Sequence, residues 1–92
     1  QDKINLFGAE LVSAPKELLE KLNLKSGVQV ASIEKGKMRE AGIKQDFIIT
    51  YVNNTMITNP GDVAAIVKKA KRSVLIEGVY PDGSVFYYAI GL

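Results

Sequence analysis

Ninety-two residues, 47% of them apolar, can bury one modest core and are too few for two domains. Twelve basic against ten acidic residues leave a formal charge of +2, which argues against a nucleic-acid binder with a basic stripe. Cysteine and histidine are absent, which excludes disulfides, Cys/His zinc sites and any nucleophile that needs an imidazole.

Residues 1–5 read as a polar lead-in in which Lys3 is the cation. The stretch Leu6-Phe7-Gly8-Ala9-Glu10-Leu11-Val12 is expected to form the first strand and one rim of a groove for an extended peptide. Gly8 either supplies a backbone angle other residues resist, lets a ligand approach the main chain, or is a plain turn glycine. A helix is expected over residues 15–23, with Ser13 or Ala14 at its cap and Pro15 in its first turn. Leu18, Leu19 and Leu22 form its apolar face, and Asn23 with Ser26-Gly27 ends it.

Residues 28–33 alternate as a strand should. Glu34-Lys35-Gly36 is a turn, and residues 37–42 make a short helix after which Gly42 takes the left-handed position. Residues 47–52, the most β-branched run, are expected to be the central strand. Asn53-Asn54 turns tightly into a short strand at Met56-Ile57. The overlap with a glycosylation sequon at Asn53-Asn54-Thr55 is read as that turn. A second helix starts at Thr58-Asn59-Pro60, capped by Thr58 or Asn59, with Asp62 favoured by the helix dipole. Val63, Ile66, Val67 and Ala70 give it a strong helical period, and it is expected to end near Lys71-Arg72. The basic run at residues 68–72 is the solvated face and last turn of this helix rather than a nucleic-acid patch. Residues 73–80 and 84–90 are strands joined by the Pro81-Asp82-Gly83 hairpin turn.

No catalytic apparatus emerges from these elements. Carboxylates are scattered, no calcium loop or phosphate loop is present, and no metal or cofactor is expected. No apolar run approaches the ~20 residues of a membrane span, and no secretory leader is read. The opening on Gln1 without an initiator Met is expected to mark a piece of a longer chain. What remains is surface recognition. A strand beside a helix accepts an extended peptide as one more strand, and converging N–H groups at an apolar-Gly turn can hold a carboxylate.

At this point the chain resembles a PDZ domain, and in particular the second, C-terminal PDZ domain of an HtrA/Do-family serine protease. The likeness rests on Leu6-Phe7-Gly8-Ala9, on the helix followed by Gly27-Val28-Gln29-Val30, on Ala41-Gly42-Ile43, on Val52-Asn53-Asn54, and on Asp62-Val63 with Ile66-Val67. It departs from the family at Asp46-Phe47, where Gly-Asp is usual, at Asn54, where glycine is usual, and at Ala9, where a larger apolar residue is common. The resemblance implies an α+β fold: a small PDZ-like β-sandwich or partly open barrel of five to six strands, two main helices and a short helical turn.

It also implies a non-catalytic domain of a homo-oligomeric serine endopeptidase in the bacterial periplasm. Its task would be to capture apolar C-termini or unfolded segments. The alternative is an assembly module that contacts neighbouring protease subunits and binds little free peptide. Carried over, the family's roles put carboxylate binding on the amides of Phe7, Gly8 and Ala9, and peptide pairing on Ala9, Glu10 and Leu11. The apolar pockets fall to Phe7, Ala9, Pro60, Ala64 and Val67. Lys3 and Lys68 either assist electrostatically or are simply solvated. Ala9 implies a deep terminal pocket and a preference for bulky apolar C-terminal residues. Ile90-Gly91-Leu92 is either the last strand or a ligand-like tail for a neighbouring groove.

Overall fold

The computed structural model describes residues 3–92. They form an α+β domain built on one antiparallel sheet: β1 (Ile4–Leu6), β2 (Ala9–Ser13), β3 (Val28–Ile33), β4 (Ile48–Val52), β5 (Thr55–Met56), β6 (Ser73–Val79) and β7 (Val85–Gly91). Three short helices are inserted: α1 (Lys16–Lys21), α2 (Lys37–Glu40) and α3 (Pro60–Lys69). The strands run in the order β1-β2-β3-β4-β6-β7, with β5 paired off this path to β4. Seven strands therefore stand where five to six were expected.

The extra strand comes from the first stretch, and it corrects the reading of residues 6–12 as one strand. The chain reverses at Phe7 and Gly8, whose φ angles of 54° and 85° are both positive. That sign pattern over two residues makes the turn that fits the twist of a hairpin. β1 pairs with β2 in the register Ile4↔Leu11, Asn5↔Glu10 and Leu6↔Ala9. Residues 4 and 5 thus belong to a strand and not to a lead-in, whose first two residues lie outside the described residues. The turn sits against residues 34–36. A Cβ added at Gly36 would lie 2.4 Å from the Phe7 carbonyl oxygen, and one at Gly8 would lie 2.6 Å from the Lys35 oxygen. Two glycines facing each other allow this backbone-to-backbone approach. It is fastened by the Glu34 amide donating to the Gly8 carbonyl at 2.7 Å and the Met38 amide donating to the Phe7 carbonyl at 3.3 Å.

α1 is shorter than expected, and neither Ser13 nor Ala14 caps it. Pro15 occupies the cap position in extended backbone, with no side-chain hydrogen bond there. Asn23 then takes a φ of 59° just past the helix. α3 begins as its sequence requires. The Asn59 side chain accepts the Asp62 amide at 3.1 Å, and Pro60 sits in the first turn. Asp62 in return accepts the amide and the hydroxyl of Thr58, each at 2.8 Å. The helix stops at Lys69, before Lys71-Arg72, because Ala70 turns to extended backbone with ψ 149°.

The core gathers one face of the sheet. Leu11, Val30, Phe47, Ile49, Val52, Ile76 and Ile90 are fully or almost fully buried together with Met38, Ile43, Ile57 and Val63. A smaller apolar cluster forms on the opposite face, where Leu18, Leu19, Leu22 and Leu24 pack on Ala14, Ile48 and Val79. At about 25 cal/mol per Å² of apolar surface, these two clusters supply the main driving force. β4 is central, between β3 and β6, as its β-branched composition implies. The Asn53-Asn54 turn carries φ of 50° and 65° and leads into β5.

Candidate functional site

β1 ends the sheet, and α3 packs against this end on both β1 and β2. A two-residue turn closes on a hydrogen-bonded pair, here Leu6↔Ala9, and the next such pair lies two residues on, at Ile4↔Leu11. The backbone N–H and C=O of Asn5 therefore face the outer edge, which no strand pairs among the described residues. Ile4 and Leu6 are half-buried on the inner face, while Asn5 is exposed. On the helix, Ile66, Val67 and Ala70 pack half-buried against the core.

This geometry moves the rim. Ala9, Glu10 and Leu11, expected to pair with a peptide, lie on β2, which is bonded on one side to β1 and on the other to β3. Both of their edges are taken, so the edge that can accept a strand belongs to β1. Of the residues expected to cradle a carboxylate, Phe7 and Gly8 form the hairpin turn and Ala9 opens β2, and the carbonyls of Phe7 and Gly8 bind the backbone of residues 34–38.

The expected pocket residues divide. Phe7 and Val67 are half-buried against the core and Ala64 is half-buried on α3. Ala9 at 1% exposure points into the core and cannot line an open pocket. Pro60 is buried at the start of α3. Of the two lysines, Lys3 lies across the hairpin from Glu10, Nζ to Oε2 3.2 Å, and Lys68 is exposed on the last turn of α3.

A second concavity, which the sequence reading did not find, lies between residues 42–46 and the β6–β7 hairpin. It is a cleft of 720 Å³ with Tyr80, Phe86 and Tyr88 as its aromatic floor and Lys44, Asp46 and Asp82 among its rim residues. The rings are held by one another and by Phe47, whose centroid is 4.7 Å from Tyr80 and 5.2 Å from Tyr88. Phe47 fits because position 78 is glycine: a Cβ there would lie 2.6 Å from the Phe47 ring and 2.1 Å from the Ile48 oxygen. The hydroxyls of Tyr80 and Tyr88 are 2.7 Å apart, and the Lys44 amide donates to the Tyr80 oxygen at 3.1 Å. Burial, then the Tyr80 hydroxyl, pushes the Tyr88 phenol up to about 12. Asp82 is held below the usual carboxylate range by the hydroxyl and amide of Ser84, both of which donate to its Oδ1. The signal available in the sequence was the spacing of Phe86 and Tyr88 on one strand. Their partners at 42–46 and 80 come together only in the fold.

Among the described residues no group of three or more acidic side chains is placed to hold a metal ion. No helix among them is long and apolar enough to cross a membrane. Comparison with protein-family models and with curated protein sequences gives no match for this chain.

Proposed function

We propose that the chain is a PDZ-type peptide-binding module that serves an attached serine protease of the HtrA/Do kind. In this reading it captures apolar C-termini or extended unfolded segments by strand addition. The observation that carries the reading is the edge strand β1, with an outward-facing backbone at Asn5 and α3 packed at the same end of the sheet. Main-chain hydrogen bonds to such an edge give sequence-tolerant affinity, and alternate side chains meet the neighbouring apolar surface. The order of the motifs supports it too. Gly27-Val28 opens β3, Ala41-Gly42-Ile43 follows α2, and Val52-Asn53-Asn54 ends β4. A peptide antiparallel to β1 would end beside Lys3. Its carboxylate would then compete with Glu10 for that ammonium, rather than enter the Phe7-Gly8 turn.

Labelled peptides ending in Leu, Phe, Val, Ala or Asp, each with a free or amidated terminus, test this. Saturable binding to the apolar, free-carboxylate members is expected. The variant Asn5→Pro removes only an N–H that faces outward, where proline is tolerated on an edge. It should weaken peptide binding about tenfold, the worth of one good hydrogen bond, and leave β1–β2 paired. Unchanged affinity in Asn5→Pro would move the peptide off β1. No binding below about 1 mM would reject the capture reading.

The assembly reading has its own support. Met56, Tyr51 and Tyr87 fall in one cross-strand row through Glu77, with Val85 alongside, and all four apolar side chains are exposed, Tyr87 and Val85 at 60%. An apolar row of this kind suits a neighbouring subunit in an oligomeric parent. Sedimentation of the parent assembly before and after Tyr87→Lys separates the two readings, since only the assembly reading expects subunits to be lost.

A further inference from the structure

We infer that β7 is a self-association edge: two copies of this chain pair their β7 strands antiparallel about a two-fold axis through Tyr87, joining the two sheets into one. The inference concerns the edge of a strand. It stands apart from peptide binding at β1 and from docking of a subunit on the exposed apolar row.

β7 ends the sheet opposite β1. It is seven residues long, pairs with β6 without a break in register, and carries neither a charge nor a proline. Unpaired backbone groups are a template for another chain, and edge strands are ordinarily blunted by charge, proline, a bulge or brevity. β1 is blunted in two of these ways, being three residues long with Lys3 beside it, whereas β7 is blunted in none.

The ladder fixes which groups face outward. The Tyr80 amide donates to the Ser84 carbonyl at 2.9 Å, and the Leu92 amide donates to the Arg72 carbonyl at 2.8 Å, so hydrogen-bonded pairs stand at both ends. Such pairs alternate along antiparallel strands. Phe86, Tyr88 and Ile90 therefore turn their N–H and C=O towards β6, and Val85, Tyr87, Ala89 and Gly91 turn theirs away. The Gly91 carbonyl accepts the Lys37 ammonium at 3.1 Å, which closes that end of the edge. Val85, Tyr87 and Ala89 remain, with no backbone partner on that side among the described residues.

A second copy answers these three residues because the strand is complementary to itself. A two-fold interface sets one patch against the same patch. With the axis through residue 87, Tyr87 faces Tyr87 of the second copy and Val85 faces its Ala89, and every outward N–H and C=O of the three is satisfied. An axis at residue 88 would set Val85 against Gly91, whose carbonyl Lys37 holds. An axis at residue 86 would set Ala89 against Gly83, in the hairpin turn. The side chains agree with the axis at 87. On the exposed face the branched Val85 meets the small Ala89. On the other face Phe86 meets Tyr88 of the second copy in a pair without hydrogen bonds, where side chains approach closest, so the two aromatic floors run together. Phe86 is 45% exposed and has ring surface to cover. Glu77 lies in the row of Tyr87, and the two Glu77 carboxylates would stand three strand spacings apart, ~14 Å, beyond the ~8 Å Debye length. A foreign strand would use the same backbone groups without bringing the Ala89 and Tyr88 that match Val85 and Phe86.

The chain has no cysteine, so single cysteines report the pairing cleanly. Tyr87→Cys would place two Cα atoms ~5.5 Å apart, within the span of a disulfide. Val85 is as exposed as Tyr87, at 60%, but Val85→Cys would place its two copies four residues apart along the strands, ~14 Å, too far to bridge. Under oxidised glutathione, Tyr87→Cys is expected to give at least about tenfold more linked dimer than Val85→Cys, and Val85→Cys mixed with Ala89→Cys is expected to link. Sedimentation equilibrium of the parent should show a dimer with Kd below about 1 mM. Ala89→Pro removes an outward N–H, which an edge tolerates, and symmetry counts the loss twice, so the dimer should weaken about tenfold or more. If Ala89→Pro loses its fold by circular dichroism, the cysteine comparison decides alone. The proposal is overturned if the parent stays monomeric at about 1 mM, if Tyr87→Cys and Val85→Cys link equally, as a subunit docked flat on the exposed row would make them, or if a folded Ala89→Pro associates like the parent.

Discussion

Replacing Gly36 by alanine tests the placement of the β1–β2 hairpin most directly. Gly36 has φ 161° and ψ −174°, extended backbone that alanine adopts freely, so any cost is crowding alone. The added methyl would meet the Phe7 carbonyl oxygen at 2.4 Å, its carbon at 2.8 Å and the Gly8 Cα at 3.1 Å. All three are main-chain atoms and cannot rotate away as a side chain would. Overpacking of this kind costs about 1–3 kcal/mol. Moving the turn also strains the hydrogen bonds from Met38 to Phe7 and from Glu34 to Gly8, each worth about 0.5–1.5 kcal/mol. Part of each would be lost, so we expect a destabilisation of about 2–4 kcal/mol. In urea, with a slope of about 1 kcal/mol/M, the midpoint falls by roughly 2 M or more. Gly91→Ala is the control: nothing lies within 4 Å of its added Cβ. It should stay within about 0.5 kcal/mol of the parent. If Gly36→Ala unfolds at the same urea concentration as Gly91→Ala, the hairpin turn does not rest on residue 36 and the assignment of β1 as the rim loses its anchor.

Two further outcomes follow from the same geometry. The Tyr88 phenol titrates at about 12 in the folded chain against about 10 in the unfolded chain, so the unfolded state loses its proton first as the solution becomes alkaline. This contribution to stability is whole below pH ~10 and is lost as the pH rises towards 12. Urea midpoints followed across that range should fall in the parent and fall less in Tyr88→Phe; parallel curves would remove Tyr88 as the cause. Asn59→Ala deprives α3 of the acceptor for the Asp62 amide and should cost about 1 kcal/mol, read as a lower urea midpoint, whereas Asn59→Ser should recover most of it.

The sequence revealed the elements whose signals are local. Asn59-Pro60 with Asp62 marks a helix start because cap, proline and acidic residue each satisfy a different need of the first turn, and α3 begins there. Asn53-Asn54 tolerates left-handed backbone, and the chain turns there into β5. Pro81-Asp82-Gly83 joins β6 to β7 for similar reasons. Phe7-Gly8 concealed its turn because an aromatic residue at positive φ is uncommon, so a β-capable run across it read as one strand. What holds Phe7 there is tertiary: the backbone of residues 34–38, distant in sequence. That single error shifted the candidate rim from β2 to β1 and turned Ala9 from a pocket wall into a core residue. The aromatic cleft was hidden for a related reason. Its floor needs Gly78 to admit Phe47, and the loop 42–46 to complete it, and no local pattern joins those positions.

A three-residue strand held by its own hairpin is also a kinetic feature. Among the described residues β1 pairs within the sheet only with β2, a few residues away in sequence, so β1 can part from β2 and α3 and return without breaking the pairing of β3, β4 or β6. Regions of this kind open in small fluctuations with free energies well below that of global unfolding. The amides of Ile4 and Leu6 should therefore exchange with solvent deuterium through local opening and at rates insensitive to low denaturant, while those of Val30, Ile49 and Ile76 await cooperative unfolding. An incoming strand would meet an edge that already breathes, and its arrival would register as slowed exchange at residues 4–6 before any other part of the domain responds.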